Sequence, residues 1–236
     1  MLNFEVLGSS SSGNCYLIRT SKETLLLECG VKYKQMIEAL NFNLNSVVGC
    51  IITHEHGDHS KSINEVIKAG INVYGSAGTF NARSVNNSHR VHIVKAKIQF
   101  RVGSFSILPF DIEHDAVEPL GYLIYHPEFG YFLFATDTYY IKYKFQNLNY
   151  IALECNYSKE ILEERIRAGK LNPVLKKRLL KSHFSLENVK KFLLANDLSG
   201  TKEIMLIHLS SGSSHAKNFK NEVERLTGVP VTICQE

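Results

Sequence analysis

Within residues 54–59, the stretch Thr53-His54-Glu55-His56-Gly57-Asp58-His59 crowds three imidazoles and two carboxylates. Neutral imidazole nitrogens and carboxylate oxygens are the ligands that Zn²⁺, Mn²⁺ and Fe ions take. His54 and His56 are two apart, so they point the same way from an extended segment. Asp58 and His59 follow where the chain turns and can face a second point in space. The pattern is not the helical His-Glu-x-x-His of zinc proteases, whose histidines are four apart. The alternative is a polar loop whose histidines merely cap their neighbours. That would put four ligand-type side chains directly after a buried strand with no cation to satisfy them.

Such a cluster needs a rigid mount. The preceding run, residues 47–53, is apolar and β-branched and predicts a buried strand. Ser60 is placed to cap a helix over residues 61–69 with Ile63, Val66 and Ile67 on one side. Other strand ends also carry ligand-type side chains. His114 lies in Asp111-Ile112-Glu113-His114-Asp115, after an apolar strand and before Glu118-Pro119-Leu120-Gly121-Tyr122. Asp137 closes the run Tyr131-Phe132-Leu133-Phe134-Ala135-Thr136, and apolar runs that end in Asp place it at a sheet edge where ligands gather. His208 closes the strand over residues 203–207 and is followed by Leu209-Ser210-Ser211. Glu28 ends Leu25-Leu26-Leu27 just before Cys29-Gly30, as a strand-end turn residue or a buried acceptor.

At 236 residues, with 44% hydrophobic and 21% charged residues, the composition is that of one globular α/β domain spanning 1–236. The net charge of +4 permits an anionic substrate without requiring one. Five cysteines, odd in number and without a C-x-x-C pair, together with the lack of a leader or a bilayer-length apolar run, predict a reduced, cytoplasmic protein without a membrane span. Residues 2–7 alternate as a strand, and Gly8-Ser9-Ser10-Ser11-Ser12-Gly13-Asn14 reads as a tight polar connection. A hairpin follows over residues 15–19 and 24–28, then a helix over 33–40. Residues 91–94, 97–102 and 105–110 read as successive strands of an antiparallel portion of sheet.

In the C-terminal half, Ser158 starts a helix to residue 168, another spans 173–181, and Ser185 caps a third over 186–195. At and just before the second of these gather Lys170, Lys176, Lys177, Arg178 and Lys181, as either a solvated helix face or a phosphate-binding one. His183 stands just outside the Ser185 cap. A strand over 150–154 ends in Glu154-Cys155-Asn156. The last helix runs from His215 to residue 226, and residues 229–234 form a terminal edge strand.

His54-x-His56-x-Asp58-His59 resembles the signature of metallo-β-lactamase-fold hydrolases, and the resemblance covers nearly the whole chain. It implies the four-layer αββα sandwich. It also implies that His54, His56 and His114 hold one metal, that Asp58, His59 and His208 hold the other, and that Asp137 bridges them. Zinc suits this His-rich set, with Mn or Fe allowed. Two metals about 3.5–4 Å apart share a hydroxide that attacks the substrate and neutralise an anionic transition state, with Asp58 orienting the hydroxide. Where the family usually has Asp to orient the metal loop from behind, this chain has Glu28, one methylene longer.

Within the superfamily, the chain is most similar to the small single-domain YycJ-like (WalJ-like) group. The similarity rests on Gly8 to Asn14, on His114-Asp115-Ala116-Val117-Glu118-Pro119-Leu120-Gly121-Tyr122, and on the two late His-x-Ser segments at His183 and His208. That group implies a dinuclear phosphodiesterase acting on nucleic acid, DNA above all, from the 5′ end. A small-molecule phosphodiesterase, such as one opening cyclic nucleotides, is the alternative. The segment around Glu154 commonly reads Glu-Ser-Asn-His-Asp in that group. Here Asn156 remains as a substrate contact, while Tyr157-Ser158 replaces the last pair and removes any contact by that histidine. His183 matches an active-site histidine with a substrate-phosphate or proton-donor role. A homodimer is compatible with the resemblance.

Overall fold

A computed structural model describes residues 1–85, 89–170 and 172–235. The chain falls into two compact units, one of residues 1–111 and 116–129, the other of residues 112–115 and 130–235.

The first unit contains, in order, β1 (Asn3–Ser10), β2 (Gly13–Arg19), β3 (Thr24–Leu27), α1 (Tyr33–Ala39), β4 (Val47–Ile51), α2 (Gly57–Ser60), α3 (Ile63–Lys68), β5 (Val73–Gly75), α4 (Ala77–Ala82), β6 (Val91–Ile93), β7 (Phe100–Val102), β8 (Phe105–Asp111) and β9 (Leu120–His126). Strands β1 to β6 lie side by side in sequence order. β1, β2 and β3 pair antiparallel, and β3 to β6 pair parallel. Residues of β3 and most of β2 are fully buried, as continuous apolar strands covered on both faces must be. Leu17, Leu26, Cys50 and Val73 of this sheet pack with Met36, Ile63, Val66 and Phe80 of the flanking helices. β7, β8 and β9 are not part of that sheet; they pair antiparallel in turn, and the middle strand alternates between buried and half-buried residues.

Three sequence expectations change here. The polar stretch 8–14 is not a separate connection. The pairing runs on through it to Ser10 opposite Gly13, with a register shift between Val6 and Gly8, because a ladder uses backbone groups that serine supplies as well as valine does. Ser60 does not cap the next helix. It closes α2, its hydroxyl donating to the carbonyls of Glu55 and His56, and α3 starts later, after Ser62. Finally, residues 91–93 are not antiparallel to their successors. α4 lies between β5 and β6, and such a crossover returns the chain parallel.

The second unit contains β10 (Gly130–Ala135), β11 (Leu148–Glu154), α5 (Lys159–Arg167), α6 (Pro173–Ser182), α7 (Leu186–Leu194), β12 (Glu203–Ile207), α8 (Ala216–Thr227) and β13 (Val231–Ile233). β10, β11, β12 and β13 pair parallel in that order. Their apolar residues are buried almost without exception between β10 and β12. The side chains of Ser158, Asn172 and Ser185 cap α5, α6 and α7, and Gly228, at φ 69°, ends α8 in the left-handed conformation that a glycine adopts without steric cost. A parallel array sends all its carboxyl ends to one edge, so Asp137, Glu154 and His208, each at or just past a strand end, gather there.

Candidate metal centre

In the first unit β3 and β4 run parallel, which sets Glu28 beside Thr53 and His54. The Glu28 carboxylate is fully buried and accepts the Thr53 N–H on both oxygens, at 3.2 and 3.3 Å. One of those oxygens lies 3.7 Å from Nδ1 of His59. Burial pushes the Glu28 carboxyl above the usual carboxylate range, against the pull of His59 and Thr53. Thr53 Oγ1 is 2.9 Å from His54 Nδ1, and His54 Nε2 is 3.1 Å from His56 Nδ1, so the pair two apart does converge. His59 is fully buried in α2, with the Asn14 amide 3.2 Å and Asp58 Oδ2 3.5 Å from its Nε2. The His54 and His59 rings stand 4.2 Å apart, centre to centre.

Two glycines let this turn sit so close to the sheet. A Cβ on Gly30 would fall 1.7 Å from the Asp58 carbonyl oxygen, and one on Gly13 would fall 2.6 Å from that of Gly30. The backbone is stitched at the same place, Cys29 N–H to the His59 carbonyl and Ser62 N–H to that of Cys29.

In the second unit one ligand atom each from Asp137, Glu154, His183 and His208 come within 4.8 Å of one another. His208 Nδ1 lies 2.8 Å from Asp137 Oδ1 and 3.1 Å from Glu154 Oε1. His183 Nδ1 lies 2.6 Å from the same Glu154 oxygen. The other Glu154 oxygen accepts the backbone N–H groups of Thr138 and Phe184. His114 Nδ1 donates to the Ser182 carbonyl at 2.9 Å, which leaves the lone pair on Nε2, 3.7 Å from Asp137 Oδ2. An imidazole held through one nitrogen and aimed by the other is how metal-ligating histidines are mounted. Asn156 donates from Nδ2 to the His208 carbonyl. Its Oδ1 is buried with no hydrogen-bond partner among the described residues.

The electrostatics fit a cation. Burial holds His114 below its ordinary value despite Asp137 and Glu154, which favours the neutral, ligand-competent imidazole. At His208 burial also acts downward, but the adjacent Asp137 and Glu154 carboxylates outweigh it and push the group up to about 10. His183 is raised in the same way, burial being overcome by Glu154. Glu154 is lowered, its burial offset by His183 and His208. Two buried carboxylates side by side demand positive charge. The donor set of imidazole nitrogen and carboxylate oxygen is the one that borderline divalent ions take.

Each expected residue thus has a place. His54, His56, Asp58, His59 and Glu28 assemble in one unit, and His114, Asp137, His183, His208 and Asn156 in the other. The sequence marks Glu154 only as a strand end, yet it is the hub for two histidines. The rule applied to Asp137, an apolar run closing on a carboxylate, applies equally to Tyr150-Ile151-Ala152-Leu153-Glu154 and was the available signal.

Solved structures share this fold. The metallo-β-lactamase fold protein YhfI from Bacillus subtilis superposes with a TM-score of 0.75 at 15% identity, covering 100% of this chain and 96% of that one. The short form of human tRNase Z gives 0.65 at 12% identity, covering 99% and 96%. The fold is therefore the mixed α/β metallo-β-lactamase fold, as anticipated from the sequence. The sequence pattern of the metallo-beta-lactamase superfamily matches residues 10–128, and the chain belongs to that superfamily.

It is 29% identical over 223 residues to exodeoxyribonuclease WalJ of Streptococcus pneumoniae, covering 88% of this chain and 81% of that protein. It is 29% identical over 227 residues to exodeoxyribonuclease YycJ of Bacillus anthracis, covering 89% and 83%. The chain is a metal-dependent hydrolase with His/Asp clusters suited to divalent ions. All five cysteines are unpaired thiols, buried in the fold. Among the described residues no helix is long and apolar enough to cross a membrane.

Proposed function

We propose that the protein is a dinuclear phosphodiesterase that hydrolyses DNA from an end, the 236 residues acting as one hydrolase domain. The observation that carries the chemistry is the gathering of ligand atoms at the carboxyl ends of β10, β11 and β12. The direction toward DNA comes from the two exodeoxyribonucleases similar to it over most of their length.

In this reading His54, His56 and His114 would hold one cation and Asp58, His59 and His208 the other, with Asp137 available to both. Zinc suits the histidine-rich set, with Mn or Fe accepted by the same donors. The cations, when bound, supply a nucleophile at neutral pH and neutralise the charge that builds on the phosphate. Asp58 would also orient the attacking nucleophile. Glu28 holds the Thr53 amide and so fixes the root of the histidine turn. His183, its Nδ1 anchored on Glu154, presents Nε2 to the phosphate or its leaving oxygen, and Glu154 favours the protonated, proton-donating form. Asn156 Oδ1 is the buried acceptor available for substrate.

The test is turnover of bis(p-nitrophenyl) phosphate and of DNA with defined ends, with and without chelator. The parent cleaves both, chelation abolishes both, and Asp58→Ala lowers both by about 10²-fold or more. Cleavage of cyclic mononucleotides with DNA left intact would show a small-molecule phosphodiesterase instead. Equal turnover in all samples would remove the metal centre from the reaction.

A further inference from the structure

Between Glu164 and Glu187 the chain has no acidic residue and seven cations: Arg165, Arg167, Lys170, Lys176, Lys177, Arg178 and Lys181. The whole chain is +4, so the remainder without this stretch carries 4 − 7 = −3. Some of the seven serve the fold. Lys176 pairs with Glu163, and Arg165 donates to the Ser213 hydroxyl. Lys177 and Lys181 are different, and Arg178 stands beside them with a contact to Asp115. All three are exposed, and their spacing of three and four puts them on one face of α6, about 6 Å from first to last along the axis. Lys177 and Lys181 have no ionic partner among the described residues. Like charges one turn apart disfavour a helix, so packing within the protein gives no reason for them.

This face leads into the proposed site. α6 ends at Ser182, whose carbonyl takes the His114 Nδ1 proton, and the next residue, His183, is anchored on Glu154. Arg178 Nε lies 3.4 Å from Asp115 Oδ2, and Asp115 Oδ1 lies 3.3 Å from His114 Nδ1. The cationic row therefore runs along a helix whose end is fixed to a candidate metal ligand and to the candidate proton donor.

We propose that Lys177, Arg178 and Lys181 form a track for the sugar–phosphate backbone of the strand being degraded, gripping phosphates beyond the one cleaved. Such contacts carry no base information, so the track binds any sequence. The proposal rests on the nucleic-acid reading above, and its test separates the two.

The test measures oligonucleotide binding in an Asp58→Ala background between 50 and 200 mM salt, and KM for DNA with Asp58 intact. For single strands each phosphate contact contributes about 0.7 to the slope of log affinity against log salt. Replacing Lys177, Arg178 and Lys181 together by Gln should therefore flatten the slope by about 2, and replacing Lys177 and Lys181 alone by about 1.4. KM for DNA should rise about tenfold or more, while bis(p-nitrophenyl) phosphate turnover stays within about twofold of the parent. Lys95→Gln, Lys97→Gln and Arg101→Gln together remove the same charge from another exposed surface and should leave the slope unchanged. An unchanged slope in the α6 variants, or an equal fall in the control, would overturn the track while leaving the DNA reading standing. A parent that neither binds nor cleaves DNA would overturn both.

Discussion

Glu28, Asp137 and His208 share an unusual backbone. Their φ angles are 65°, 48° and 52°, in the left-handed region that non-glycine residues rarely occupy. Each costs on the order of 1 kcal/mol or more, and such strain concentrates at functional sites. Here it turns a strand-end side chain off the strand axis toward its neighbours. Gly30 is the steric counterpart. A methyl 1.7 Å from a backbone oxygen has no room, so Gly30→Ala should displace the Asp58-His59 turn. Metal content per chain should fall, and phosphodiester turnover should drop about tenfold or more, the range seen when a ligand's support is removed. Glu154→Gln should lower turnover about 10–100-fold. It also removes the charge that raises His183, so the alkaline limb of the pH–rate profile should move to lower pH. An unmoved limb would show that His183 is not the proton donor.

At the scale of elements, α7 is the brace for His183. Its capping residue Ser185 accepts the Asn188 N–H, and Leu186 N–H donates to the Tyr157 carbonyl while Asn156 N–H donates to that of Phe184. Ser185→Ala should cost about 1 kcal/mol, a fall in Tm of about 2–4 °C at this chain length by thermal melts. The elements were largely legible from periodicity and caps. Ser158 and Ser185 start α5 and α7 as anticipated, and the apolar runs become β3, β4, β10, β11 and β12. Two bounds and one pairing differ: the first strands run on through residues 8–14, α3 starts after Ser62 rather than Ser60, and residues 91–93 pair parallel. Whether residues 91–93 pair parallel or antiparallel depends on the crossover before them, which periodicity does not encode.

At the scale of the molecule, the proposed ion binding would couple to folding, because the residues proposed as ligands are scattered from His54 to His208. Whatever binds the native state alone stabilises it by mass action, so chelation should lower Tm and added Zn²⁺ or Mn²⁺ should restore it. Without metal, the clustered charges set the pH dependence. His208, raised from 6.5 to about 10, and His183, also raised, give stability that is complete below 6.5 and lost as pH climbs through the raised values. Glu154, lowered from 4.5, gives stability present above that value and lost as pH falls through the lowered one. Glu28, raised, works against the fold at neutral pH. Chelated protein should therefore melt highest between about 4.5 and 6.5 and progressively lower toward pH 10. Metal loading should flatten the alkaline fall, because the cation then balances Asp137 and Glu154.

The sequence by itself determined the kinds of ligand, the strands they end, and the family, because residue type and local period are written along the chain. Only the tertiary structure decided that Glu154 would bind two histidines, that Ser182 would aim His114 through a carbonyl, and that Gly13 and Gly30 would meet. Those are contacts between residues far apart in sequence, fixed by strand order and backbone approach, and no local pattern carries them.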